Sequence, residues 1–99
     1  MKTIKKAITL SVGLVMMGSA AFAQSIADVK RAIDAEQYQK ATSILKGLTA
    51  SQSKKGENFF YLGNVYLKTN EIDSAKATFT NGTVADAKNP LNYVGLGNV

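Results

Sequence analysis

Reactive side chains are scarce in this 99-residue chain. It has no Cys, no His and no Trp. That excludes thiol nucleophiles, disulfides, imidazole acid–base catalysis and the usual zinc sites. The carboxylates Asp28, Asp34, Glu36, Glu57, Glu71, Asp73 and Asp86 stand at ordinary helix-surface spacings. Glu71 and Asp73 read as turn and cap residues rather than as a general acid–base pair. Gly95-Leu96-Gly97 lacks the third glycine and the preceding strand of a phosphate-cradling loop. Lys54-Lys55 is a solvated loop pair. Asn81-Gly82-Thr83 matches the N-x-[ST] pattern but falls inside a predicted helix. No catalytic residue, metal or cofactor is expected.

Charge is the next signal, and it is deceptive. The chain carries 12 Lys+Arg against 7 Asp+Glu, a formal +5. Setting aside Lys2, Lys5 and Lys6 leaves nine basic residues against seven acidic, a balance of only +2. A nucleic-acid footprint needs basic residues clustered on one face, so no nucleic-acid partner is expected. Those three lysines open a three-zone segment: a positive start, an apolar stretch Ala7 to Met17, then small residues ending in Ala21-Phe22-Ala23. This is the pattern of a cleaved secretory signal over residues 1–23, with Gln24 as the first mature residue. The alternative, a membrane anchor, needs roughly 20 apolar residues, about twice what the run offers. The expected location is a bacterial periplasm or the cell exterior, with no membrane contact after cleavage.

The remainder repeats itself at the shift that carries Glu57 onto Leu91. Glu57-Asn58-Phe59-Phe60-Tyr61-Leu62-Gly63-Asn64-Val65 then lies over Leu91-Asn92-Tyr93-Val94-Gly95-Leu96-Gly97-Asn98-Val99, with five of nine pairs identical. A fainter copy lies one shift earlier, where Ala75 falls on Ala41, Phe79 on Leu45 and Ile72 on Tyr38. There Asp28 stands in the place of Leu62, and Val29 in that of Gly63. Phe59, Leu62, Gly63 and Tyr66 form an i, i+3, i+4, i+7 stripe; Ile72, Ala75 and Phe79 form a second, and Tyr38, Ala41, Leu45 and Leu48 a third. Asn70 suits the left-handed closure of a helix, Asp73 suits a cap, and Pro90 suits a first turn. The spacing predicts helices near 25–35, 39–50, 57–69, 73–87 and from 90 onward.

Phe59-x2-Leu62-Gly63-x2-Tyr66, followed by Ala75, Phe79 and Pro90, resembles the tetratricopeptide repeat (TPR), a 34-residue helix–turn–helix unit whose length equals the shift found here. Phe59 stands where the family has Trp, Gly82 where it has a small Ala, and Pro90 comes three positions late. The resemblance implies an all-α, α–α superhelix: a degenerate unit over 24–55, a central unit over 56–89 and the first helix of a third over 90–99. Ala41, Leu45, Phe59, Leu62, Gly63, Tyr66, Ala75 and Phe79 carry the repeat signature. Such a unit cannot bury its apolar face alone. Leu91, Val94, Leu96 and Val99 are therefore expected to lack a partner helix, as in part of a longer array.

The resemblance also implies a concave groove lined by the first helix of each unit. Its candidate residues are Lys30, Asp34, Phe60, Tyr61, Asn64, Leu67, Lys68 and Asn98. Tyr61 and Phe60 would stack on a ligand, and Asn64 and Asn98 would bond an extended peptide backbone through paired donors and acceptors. The alternative is that Phe60 and Leu67 are buried between units and Asn64 only repeats a family habit. A subgroup of the family clamps a peptide C-terminal carboxylate, but the matching places here are Ile26, Tyr61, Leu91 and Gly95, with Lys30 where Asn is needed. That clamp is missing. The expectation is a non-catalytic scaffold or adaptor of the cell envelope with a protein or peptide partner. The alternative is the N-terminal repeat region of a larger envelope protein with a catalytic or wall-binding module downstream.

Overall fold

The computed structural model describes residues 25–99, and the signal segment expected over residues 1–23 lies outside them. Among the described residues five helices follow one another: α1 (Ile26–Asp34), α2 (Tyr38–Ser51), α3 (Gly56–Lys68), α4 (Ile72–Ala85) and α5 (Leu91–Gly97). Each begins and ends within two positions of its expected span, and there is no strand among the described residues. Neighbours pack on one another along the chain, α1 on α2, α2 on α3, α3 on α4 and α4 on α5, and α5 also packs back on α3. The fold is all-helical and repeat-like.

The repeat is visible in the backbone. Glu36 and Asn70, which occupy the same place in successive repeats, have φ of 58° and 62°, the left-handed conformation. Around Glu36, Gln37 N–H donates to Ala32 O at 2.8 Å and Glu36 N–H to Ile33 O at 2.9 Å. Around Asn70, Glu71 N–H donates to Tyr66 O at 2.8 Å and Asn70 N–H to Leu67 O at 3.1 Å. Both are Schellman closures, which satisfy carbonyls that a helix end leaves orphaned. The second closure changes one expectation. It turns the chain straight into α4 with Glu71 as the N-cap, so Asp73 sits inside the first turn instead of capping it. There it still favours the positive end of the helix dipole.

Burial recurs with the same period. Ala41 and Ala75 are both fully buried, as are Leu45 and Phe79; Ile44 and Thr78 are both buried, and so are Leu48 and Gly82. The core gathers Val29, Ala32, Ala41, Ile44, Leu45, Leu48, Leu62 and Val65, with Tyr38, Tyr61 and Tyr66 packed against its edge. Phe79 forms a second focus. Its ring lies over Gly63 of α3 and Gly95 of α5, where a Cβ on either glycine would collide with it. Gly63 thus makes room for a side chain, Phe79, whose burial stabilises the fold by about 1.5–3 kcal/mol. Gly97, the counterpart of Gly63 in α5, meets nothing within 4 Å.

Candidate partner-binding groove

Most of the groove candidates lie on α3, where one apolar stripe faces the core and the adjoining face is left for solvent. Phe60, Tyr61, Asn64 and Leu67 are half-buried, and Lys68 at the end of α3 is exposed. Lys30 and Asp34 on α1 are exposed, as is Asn98 just past α5. The structure brings Lys30 and Tyr61 together: the ammonium lies 5.5 Å from the ring centroid, within cation–π range. Tyr61 also packs on the core, so its ring is held in place by α1 and α3 jointly.

Phe60 is less free than an open groove requires. Its ring meets Tyr61 edge-on at 5.7 Å between centroids and approaches Phe79 at 6.3 Å. It extends the aromatic contact outward from the Phe79 focus. Asn64 and Asn98 make no side-chain hydrogen bond among the described residues. Asp34, Lys68 and Asn98 are not joined to the Lys30–Tyr61 pair by any hydrogen bond or ion pair among the described residues. The signature residues lie inward: Ala41, Leu45, Leu62, Gly63, Ala75 and Phe79 are buried, and Phe59 and Tyr66 half-buried.

Several carboxylates are spent on structure. Asp28 accepts from Ser25 N–H at 2.9 Å and pairs with Arg31. The Ser25 N–H, and then the Arg31 guanidinium, hold its carboxyl below the usual value near 3.8. Glu71 accepts from Thr69 Oγ1 at 2.6 Å. Asp86 accepts from Gly56 N–H at 3.1 Å across the α3–α4 hairpin, a contact that helix-surface spacing did not disclose. Among the described residues, no three acidic side chains converge as a metal site would require, and no helix is long and apolar enough to cross a membrane.

Two features escaped sequence reasoning. One is a concavity of about 650 Å³ where α2 meets the α3–α4 turn, lined by Tyr38, Thr42, Ser43, Lys46, Tyr66 and Glu71 among others. The α2 part of its lining does not recur one repeat later, where Ile72, Lys76, Ala77 and Thr80 stand in the places of Tyr38, Thr42, Ser43 and Lys46. The other is a pair of fully buried asparagines, Asn58 and Asn92. Here the signal was present, because the two are identical partners when the chain is laid over itself.

The chain therefore falls in the class of all-helical, repeat-like proteins. Comparison with family models, with curated proteins and with solved structures finds no match in any of the three.

Proposed function

We propose that this chain is an exported TPR-like solenoid that acts as a non-catalytic scaffold or adaptor, holding a protein or peptide partner along the face shared by α1, α3 and α5. The observation that carries this reading is the face itself: Lys30 stacked on Tyr61, with the half-buried amide of Asn64 on the same helix as that ring. Such a surface offers one fixed aromatic–cation patch and hydrogen-bonding groups that match a main chain. It needs no bond made or broken. Export rests on the N-terminal charge and apolar pattern, with Ala21-Phe22-Ala23 as the cleavage signal.

The test is capture of partners by the full chain, compared with Asn64→Ala and Lys68→Ala. These variants spare the core, whereas Tyr61→Ala would also disturb packing and is interpretable only with a matched melting curve. The expected result is at least a fivefold loss of captured partner in Asn64→Ala with unchanged thermal stability. Undiminished capture in both variants would remove the groove from consideration. The mass of the exported product tests the cleavage site independently.

A further inference from the structure

α5 turns a mixed face inward, with Gly95 buried and Leu91 and Leu96 half-buried beside Asn92. Its residues, Leu91 to Gly97, carry no charge and only one fully polar side chain, Asn92. Asn92 is nonetheless 0 % exposed, while Tyr93 and Val94 are 52 % and 54 % exposed. Turning the helix to bury Tyr93 and Val94 would expose Leu91 and Leu96 in exchange, so apolar area chooses weakly between the two, whereas an amide leaves water at a cost unless it is bonded. Something specific must therefore hold Asn92 inward.

That something is a set of contacts at the start of α3. Asn92 Nδ2 donates to Gly56 O at 2.9 Å, and Gly56 N–H donates to Asp86 Oδ2 at 3.1 Å. Both backbone groups of Gly56 are thus held by side chains that follow α4. The fit is tight on both sides: a Cβ on Gly56 would lie 3.0 Å from Asp86 Cβ and 3.1 Å from Asn92 Nδ2, and a Cβ on Gly82 would collide with the Asn92 amide. The carbonyl acceptor dictates which end of the amide faces Gly56. Asn92 Oδ1 is left buried without a partner among the described residues, so the contact is not one that maximises stability. At the preceding junction the same two positions are again polar. Asn58, 1 % exposed, donates from Nδ2 to Gln52 Oε1 at 3.2 Å, and Gln52 occupies the place that Asp86 takes in the next repeat.

We infer that Asn92, acting on Gly56 with Asp86, is a register lock: a positioning residue that selects one rotation of α5 against α3 and α4, holding Tyr93 and Val94 outward. Apolar contact alone selects weakly among rotations of a helix that is apolar on nearly every side. A single buried amide with one available acceptor selects strongly, as buried Asn does at coiled-coil seams. The Phe79–Gly95 contact is the competing determinant, since shape complementarity could set the same rotation.

The absence of native cysteine makes a clean test possible. Lys68→Cys and Val94→Cys, both at exposed positions, carry nitroxide labels in the full chain, and pulsed electron resonance reads the distance from α3 to α5. The reference chain is expected to give one narrow distribution. Asn92→Leu is expected to broaden or split it while the melting temperature holds or rises. One narrow distribution at the reference distance in Asn92→Leu would show that Phe79 and Gly95 suffice, and the lock would be discarded. Should leucine not be accommodated above Gly82, Asn92→Ala is read the same way: a broadened distribution supports the lock, and an unchanged one overturns it.

Discussion

The first helical hairpin and the second solve one packing problem with different residues. In the second, Gly63 on α3 and Phe79 on α4 share a site, the ring filling the space that the glycine vacates. In the first, the corresponding places hold Val29 on α1 and Leu45 on α2, both fully buried in one cluster. The pair Gly plus Phe has been exchanged for Val plus Leu, small against large for two of middle size. Interiors are packed to near-crystalline density, so a larger residue at one place of a facing pair calls for a smaller one at the other. This also explains why the first hairpin looked degenerate. Val29 in the place of Gly63 is a mismatch when residues are compared singly, but it comes with a smaller partner, Leu45 in the place of Phe79, when they are compared as a pair.

The strongest way to break that comparison is to convert one solution into the other. Gly63→Val alone drives a branched side chain into the Phe79 ring, and overpacking of this kind costs about 1–3 kcal/mol. Phe79→Leu alone opens a cavity between Gly63 and Gly95 and is also destabilising. The double variant places Val opposite Leu, as in the first hairpin. It is expected to be more stable than the sum of the two losses by about 1–2 kcal/mol, within the usual range for residues in contact. Chemical denaturation of the parent, the two single variants and the double variant reads the coupling directly. Strict additivity would mean that the two positions do not share a site and that the two hairpins are not variants of one packing scheme. Recovery should be partial, because leucine does not reach Gly95 as the Phe79 ring does.

A smaller effect is expected at the turns. Asn70 and Glu36 adopt the same left-handed conformation, but only Asn70 was legible from sequence, because its short polar side chain tolerates that region whereas Glu rarely enters it. Helix spans, the repeat period and the inward stripes were legible because each rests on repetition or on regular spacing. Glu36 was not, because the first Schellman closure forces its conformation through the Gln37–Ala32 hydrogen bond and against local preference. Asn92 was legible as an identity but not as a buried group, since periodicity places residues on faces and says nothing of which polar side chain finds an acceptor. Tyr61 stands among the expected groove residues, and its ring also packs against the core. Glu36→Gly is expected to stabilise the fold by about 0.5 kcal/mol, a left-handed penalty of about 1–2 kcal/mol being partly offset by the added freedom of glycine when unfolded. Asn70→Gly should change little. Thermal melts of the two variants sharpen the comparison: equal gains would mean that Glu36 bears no more strain than Asn70.

The smallest effect concerns a place in the repeat where one residue caps a helix in the first hairpin and another fills the core in the second. Asp28 stands where the second hairpin has Leu62, and its role has changed from filling the core to capping. It accepts from Ser25 N–H and pairs with Arg31. By contrast, α3 begins without a cap from its own N-cap side chain, and its Gly56 N–H is held from a distance by Asp86. The folded state favours the ionised Asp28 carboxylate, so its proton affinity there lies below the unfolded value, near 3.8. The sign follows from linkage. This contribution is fully present above the unfolded value and is lost as pH falls through the lower, folded one. Asp28 is partly open to solvent, so added salt should weaken the Arg31 component. Fraying of α1, followed by the backbone chemical shifts of Val29, is expected to grow as the pH drops below about 4, while Gly63, its counterpart in α3, is unaffected. Asp28→Asn should flatten that dependence and leave α1 slightly frayed at neutral pH. If Val29 and Gly63 instead lost order together over the same pH range, the capping carboxylate would not be what distinguishes the first hairpin's start from the second's, and a general acid unfolding would account for both.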